Sequence, residues 1–405
     1  MADALPLADV RILDFMWVMA GPAATRMLAD YGATVVRIES PTRVDTARTL
    51  QPFHNNTPGP DSSGLFGNCN AGKLGISLDL GNPRSREVVF DLLRWAQVVT
   101  ESFSPKAMRA WGYDYESLRK VKPDLIMVST CLMGQSGPLS RIAGFGNMAA
   151  AISGFHNLTG WADRQPAGPF GAYTDYVSPR FTAMAILAAL DHHRRTGEGQ
   201  YIDQSQAESS LHFLSPAILD YTVNGRIQSR AGNSDREFAP HGVYPAAGED
   251  RWIAIVCQSD SQWRSLCSAI KRADLANDSR LATAAGRREH SAEIDEAISA
   301  WTREMGAGAA EAFLQSRAIA AHQVQNSAQI ARDPQMAHRG HFVEVNHSTL
   351  GKTFVEGPRA RLSRTPARVR SAAPFVGEHT QHVLENILHY DEERITDLVA
   401  AGVFG

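Results

Sequence analysis

One carboxylate of this 405-residue chain stands where nucleophilic chemistry is possible. Asp175 lies in "FGAYTDYVSPRFTAMAILAALDHHRRTGEGQ", ahead of an apolar helical stretch. Ser178-Pro179 offers that helix a start of its own. Ser caps free N–H groups, and Pro suits the first helical position. This spacing predicts a helix from Pro179 to about Arg195, capped by Ser178, with Asp175 one turn upstream. Asp175 is then not needed as a cap. The positive helix end favours its ionised form. Its neighbours Gly171, Ala172, Tyr173 and Tyr176 are small or aromatic. A carboxylate kept ionised in a tight, partly dry pocket can act as a nucleophile. The plain alternative is an acid near a helix N-terminus.

Other chemistries lack their residues. The first β-α-β turn, "FMWVMAGPAATRMLADYG", carries Gly21 and Gly32 but no G-x-G-x-x-G, so the glycines that admit a pyrophosphate are missing. Glu39 after the second strand is then no ribose ligand. There is no P-loop, no H-E-x-x-H and no G-x-S-x-G. His192-His193 falls in the last turn of a helix, where cations complement the dipole; with His338/His341 it is the nearest approach to a metal cluster. No metal site is expected.

The elements that must position Asp175 read as alternating strands and helices. "VRILDF" (10–15) and "ATVVRIE" (33–39) are strands around a short helix ended by Gly32. "GISLDL", a helix over 83–96, "VVTESF", short helices at 105–111 and 115–121, and "DLIMVST" follow. This pattern predicts an α/β domain with a largely parallel sheet. Residues 137–171 are Gly- and Ala-rich without a clear period, and 206–224 read as one helix. Near Asn224 the pattern changes: "HGVYPAAGEDRWIAIVC" reads as a strand pair, followed by helices at 261–271, 291–304 and 308–316. Two β-like stretches, "HFVEVNH" and "GKTFVEG", precede a helical tail over 379–401. The expected division is a large domain over 1–225, a small α+β domain over 226–330, and a segment over 331–405.

Composition narrows the class. Apolar residues make up 43% and charged residues 20%, with a net charge of −3, which fits a soluble globular protein with no nucleic-acid footprint and no polybasic membrane patch. The four cysteines show no metal or disulfide spacing. "MADALPLADVRILDF" lacks a basic region followed by an apolar one, and the longest apolar stretch is far short of a membrane span. A cytoplasmic protein is expected.

Several segments together resemble the family III coenzyme A transferases, which include the formyl-CoA and carnitine-type enzymes, and the α-methylacyl-CoA racemases of the same fold. They are "VRILDFMWVMAGPAATRMLADYGATVVRIESP", "NAGKLGISLDL", "VTESFSPKAMRAWGYDYESLRKVKPDLIMVS", "GQSGP", "TDYVSPRFTAMAILAALDHHRRTGEGQYIDQSQAE", "DPQMAHRG" and "APFVGEHTQHVLENILHYDEERITDLVAAGV". They run in family order over nearly the whole chain. The resemblance implies a Rossmann-like large domain without a nucleotide fingerprint, a smaller α+β domain, a C-terminal return to the large domain, and two interlocked subunits, identical or, alternatively, different. Asp175 occupies the place of the family's catalytic aspartate, with Pro179 where Gly is usual.

The implied reaction needs no tightly bound cofactor; coenzyme A and acyl-CoA are substrates, with a carboxylic acid as acceptor. Asp175 would form an anhydride with the donor acyl group and then an aspartyl-CoA thioester. Loops near Gly144 and Gly242 would bring backbone N–H groups to the oxyanions. By the same resemblance Val18 lies near the CoA thiol. Leu78, Phe103 and Ala107 line the adenine pocket, with Ser102 where the family often has Asn. Lys73 matches a frequent family Lys. Arg109 is the candidate phosphate ligand, and Arg43 or Arg37 replaces a basic residue missing at Ser40. Met16, Trp17, Met19, Phe145 and Gly146 border the acyl end. Arg48, Arg141 and Arg180 are candidates for gripping a second carboxylate.

The racemases place His and Asp in an A-G-H-D type stretch; here the chain reads "AGFGN", and Phe145 carries no proton. A transferase is therefore expected over a racemase. It is also expected over a silent partner subunit, which would be expected to lose the nucleophile. Met19 and Gly146 stand where oxalate-type enzymes have Gln and an acid. An apolar, roomier pocket follows, for larger, benzylsuccinate-like acids, with succinyl-CoA as donor.

Overall fold

The computed structural model describes residues 5–405. They fall into two compact units. The first comprises the chain up to His156, Gly168–Gln228 and Gln335–Gly405; the second comprises Asn157–Ala167 and Ser229–Pro334.

The first unit is built on six parallel strands: β1 (Arg11–Asp14), β2 (Thr34–Glu39), β3 (Leu74–Ser77), β4 (Val98–Glu101), β5 (Ile126–Cys131) and β6 (Tyr201–Ser205). Their order is β3-β2-β1-β4-β5-β6, with every neighbouring pair parallel. This is the doubly wound order, whose ligand crevice opens beyond the strand carboxyl ends where the order reverses, between β1 and β4.

Adjacent strand residues face opposite sides, and both sides are apolar. Ile12, Val35, Val98 and Ile126 pack with Ala183, Ile186 and Leu190 of the long helix Tyr173–Thr196. Leu13, Val36, Val99 and Met127 pack on the other face with Leu92 and the C-terminal Val383, Leu384, Leu398 and Val403. A parallel sheet covered on both faces needs such continuous apolar runs. The C-terminal segment is tied down by Tyr390 Oη donating to Asp91 at 2.6 Å and Asn82 Nδ2 donating to the Ala401 carbonyl at 2.7 Å.

Three elements of the first unit depart from the sequence reading here. β6 was not anticipated: "YIDQS" is short and half polar, and its pairing with β5 creates it. The long helix begins at Tyr173, not Pro179. Ser178 is buried inside it and hydrogen-bonds Gln204, so it caps nothing. Buried contacts of Thr174, Asp175 and Val177 extend the helix past the proline, a tertiary override of local preference. The 206–224 stretch is two helices, Gln206–Leu211 and Ser215–Asn224, joined by a tight turn.

In the second unit, β7 (His241–Pro245), β8 (Trp252–Val256) and β9 (Ala320–Gln323) form an antiparallel sheet in the order β7-β8-β9. It packs on helices that bury Trp263, Leu266, Ile298 and Leu314. β9 was also unforeseen. In the first unit, the two β-like stretches become strands β10 (Phe342–His347) and β11 (Gly351–Glu356), which pair antiparallel. Among the described residues no helix is long and apolar enough to cross a membrane.

Candidate active site

The loops after β1 and β4 meet at the switch point. The chain leaves β1 through Asp14, a fully buried carboxylate that accepts from the Met16 N–H at 2.9 Å, Thr100 Oγ1 at 3.0 Å and Thr25 Oγ1 at 2.7 Å. The Trp17 N–H then donates to Ser102 Oγ at 2.9 Å, linking the two loops. The next N–H, of Val18, donates to Asp45 Oδ1 at 2.9 Å. Val18 holds φ at 69°, a region that disfavours branched side chains. Asp45 is itself fixed by Arg37 Nη2 at 2.9 Å and by the Ala47 N–H at 2.9 Å. Three successive backbone donors are thus clamped by side chains, and the loop is presented in one shape.

Two cavities share this loop as a wall. The larger, about 670 Å³, is lined by Phe15, Trp17, Ser40, Arg43, Leu78, Phe103, Ala107, Ala110 and Trp111 among others. Its size is that of a small-molecule site. Leu78, Phe103 and Ala107 are brought together there. Trp17 meets Phe103 edge-on at 5.6 Å, and Phe103 meets Trp111 at 5.5 Å. The smaller cavity, about 180 Å³, holds Asp175 and Gln206 with Trp17, Val18, Met19, Ser102, Phe103, Cys131, Leu132, Ile142, Gly144 and Phe145. Trp17, Phe103 and Ser104 line both. One long ligand could therefore lie across the loop with one end at Asp175.

Asp175 sits in the first turn of the long helix, 7% exposed. Pro179 has no N–H to give to the Asp175 carbonyl, so the helix ladder is broken at this point. The carboxylate Oδ1 accepts from Gln206 Nε2. Gly146, which opens the helix Gly146–Ile152, lies so close that a Cβ there would be 2.8 Å from Asp175 Cγ and 2.9 Å from each oxygen. Burial pushes Asp175 above the ordinary carboxylate range, and the Gln206 amide and the Gly146 N–H oppose part of that rise. Cys131, at the same cavity, has its thiol pushed up to about 11 by burial, so it stays protonated at neutral pH.

Several candidates from the sequence stand elsewhere. Met16 is fully buried and packs beneath Gly21, outside both cavities; strand-like alternation turns it inward while Trp17 faces the cavity. Lys73 is 1% exposed and gives Nζ to Asp14 at 3.1 Å, Asn70 at 3.0 Å and the Pro22 carbonyl at 2.9 Å. All three of its protons are thereby engaged, so it braces the β1 loop and reaches no ligand surface. Burial, countered by Asp14, draws its ammonium down to about 8.

Arg109 is exposed and lines neither cavity. In its short helix, residues 107, 110 and 111 share the face turned to the groove. Arg43 lines the larger cavity, so of the proposed cations it is the one brought to the groove. Arg37 and Arg48 are buried: Arg37 pairs with Glu39 and Asp45, Arg48 with Glu39 and Asp61, and both guanidinium groups lie over the Phe66 ring. Neither is free for a substrate carboxylate. Arg141 and Arg180 are exposed and outside the Asp175 cavity lining. Gly144 lines that cavity; Gly242 belongs to the second unit, where it packs under the Tyr244 hydroxyl. Gln206 was not singled out from the sequence. Its only local signal is a polar residue directly after a strand end.

Comparison with known proteins gives the family. The model of CoA-transferase family III matches residues 7–380. The chain is 31% identical over 398 residues to the succinyl-CoA–D-citramalate CoA-transferase of Chloroflexus aurantiacus, covering 98% of each chain. It is 33% identical over 386 residues to the succinate–glutarate CoA-transferase of Agrobacterium fabrum, covering 94% of this chain and 96% of that one. A crystal structure of a CAIB/BAIF family protein from Brucella suis superposes with a TM-score of 0.87 at 28% identity, covering 95% of this chain and 99% of that chain. The chain belongs to CoA-transferase family III.

Proposed function

We propose that this enzyme moves coenzyme A from succinyl-CoA to a second carboxylic acid through covalent intermediates on Asp175. The observation that carries the reading is the buried Asp175 carboxylate, held by Gln206 and Gly146, in a cavity that shares Trp17, Phe103 and Ser104 with a larger neighbouring one. Leu78, Phe103 and Ala107 form the adenine end, Arg43 faces the phosphates, and Val18 borders the thiol. Asp175 attacks the thioester carbonyl and releases CoA thiolate. The thiolate returns to the aspartyl carbon and frees the donor acid. The acceptor then reverses these steps, so the thioester energy is conserved.

The donor and acceptor classes rest on the named substrates of the relatives, which pair succinyl-CoA or succinate with citramalate or glutarate. Met19, Leu132, Ile142 and Phe145 give the Asp175 cavity an apolar wall, which suits an acid with a carbon chain better than formate or oxalate. A racemase needs two opposed proton-transfer groups. Among the described residues that line this cavity, the titratable group beside Asp175 is the Cys131 thiol, held protonated by burial.

We further propose that a second copy of the chain covers the exposed apolar residues Met184 and Leu187 of the long helix and Leu219 and Val223 of Ser215–Asn224. Large apolar side chains left exposed on a single chain are suited to an interaction surface; sedimentation as a monomer would reject the dimer.

The test of the reaction is intact-protein mass spectrometry after incubation with succinyl-CoA, with hydroxylamine trapping, on wild type and Asp175→Ala. A hydroxylamine-sensitive adduct on wild type alone supports the assignment. A working Asp175→Ala variant overturns it.

A further inference from the structure

We propose that the Gln206 side-chain amide is a catalytic residue: the oxyanion donor for additions at the Asp175 carbon itself. This rests on the reading of Asp175 as the nucleophile.

Gln206 is buried and is the first residue of the helix that follows β6. Its Nε2 donates to Asp175 Oδ1 and, at 3.0 Å, to Thr174 Oγ1. Thr174 Oγ1 gives its own proton to the Gly146 carbonyl at 2.9 Å. The threonine oxygen must therefore accept from Gln206, which fixes the amide with its nitrogen toward the carboxylate. The amide holds Oδ1, and Oδ2 is the oxygen that attacks.

The four additions of the reaction divide accordingly. First, an Oδ2 lone pair forms a C–O bond to the donor acyl carbon, the C–S bond breaks, and CoA leaves as thiolate. Oδ1 becomes the carbonyl oxygen of the anhydride. Second, the thiolate sulfur bonds to Asp175 Cγ, and the carbonyl electron pair moves onto Oδ1. Collapse breaks the Cγ–O bond and expels the donor carboxylate. Third, the acceptor carboxylate adds to Cγ, the pair again moves onto Oδ1, and CoA thiolate leaves. Fourth, the thiolate attacks the acceptor acyl carbon and Asp175 departs as a carboxylate. No proton, oxidant or reductant is consumed.

Charge on Oδ1 thus falls in the first addition and rises in the second and third. A donor fixed on Oδ1 strengthens its bond only where charge develops. Removing it must affect the two half-steps with opposite sign. The first addition proceeds at least as fast once Asp175 is ionised, and the second slows by about 10²-fold, the usual loss for one such donor.

The experiment is rapid quench of wild type, Gln206→Leu and Gln206→Met with succinyl-CoA over a series of rising pH, compared where the rate of the first adduct has levelled off in each. Intact mass separates an acyl adduct, the anhydride, from a CoA adduct, the thioester. Wild type is expected to accumulate the CoA adduct, and the variants the acyl adduct. The acyl adduct itself reports a folded site, with thermal melting as a second control. Conversion at the wild-type rate, or equal slowing of both adducts, overturns the proposal. Absence of any adduct on wild type overturns the nucleophile reading and this assignment with it.

Discussion

Replacing Gly146 by Ala separates the position of the Asp175 carboxylate, the proposed nucleophile, from the stability of the fold. The added Cβ would stand 2.8 Å from Asp175 Cγ and 2.9 Å from both carboxylate oxygens. Ordinary carbon contacts begin near ~3.5 Å, so the carboxylate must retreat by about half an ångström. The yielding group is the tip of a short side chain, not backbone, so the fold tolerates the change. Overpacking costs ~1–3 kcal/mol, and the gain in helix propensity at this position returns up to ~1 kcal/mol of it. Catalysis has no such tolerance. The retreat pulls Oδ1 off the Gln206 amide and moves the attacking oxygen, and a misplacement near 1 Å costs about 10²-fold. The expected result is a kcat lowered about 10- to 100-fold with a modest fall in Tm. Steady-state turnover with succinyl-CoA and an acceptor acid that the wild type uses, beside a thermal melt, measures both. A Gly146→Ala enzyme with kcat within about twofold of wild type would refute the reasoning, because the contact distances would then not govern the nucleophile.

Three further outcomes are expected. Lys73→Met leaves the buried Asp14 carboxylate without its cation, so denaturant unfolding should show a loss of ~3–5 kcal/mol; a changed KM for acyl-CoA with unchanged stability would restore Lys73 as a direct ligand. Asp45→Ala releases the Val18 N–H from its acceptor and should slow adduct formation on Asp175, whereas Val18→Gly relieves ~1–2 kcal/mol of left-handed backbone strain. In a double-mutant cycle the Asp45→Ala cost should shrink once residue 18 is glycine, and simple additivity would count against the coupling. Burial pushes Glu101, whose carboxylate accepts from the Phe103 N–H, from 4.5 up to about 7. Its protonated form therefore stabilises the fold below the unfolded value, and that contribution is lost as pH rises through about 7. Glu101→Gln should match wild type in urea near pH 4 and exceed it above about 7; parallel pH profiles would contradict this.

Several residues that the structure gathers around the candidate site were legible because their signals are local. Trp17, Val18, Phe103 and Asp175 follow strand ends or begin a helix, and a doubly wound sheet gathers those positions at one edge. Arg109 misled because one residue along a helix turns a side chain by about 100°, so Ala107 and Ala110 face the groove while Arg109 faces water. Ser178-Pro179 misled because a cap motif states only a local preference, and the burial of Thr174, Asp175, Val177 and Ser178 outweighs it.

The sequence by itself determined the alternating strands and helices, the missing nucleotide fingerprint and the place of Asp175. Each depends on neighbours within a turn or a strand, where periodicity and side-chain chemistry act directly. The tertiary structure alone decided that Lys73 is sealed against Asp14, 59 residues away, and that Gln206 reaches Asp175 across 31 residues. It alone also decided that "YIDQS" becomes a strand because β5 offers it a partner. Those outcomes depend on which distant groups share a desolvated space. There a charge or a donor is stable only when its partner is present, and no local pattern records the partner.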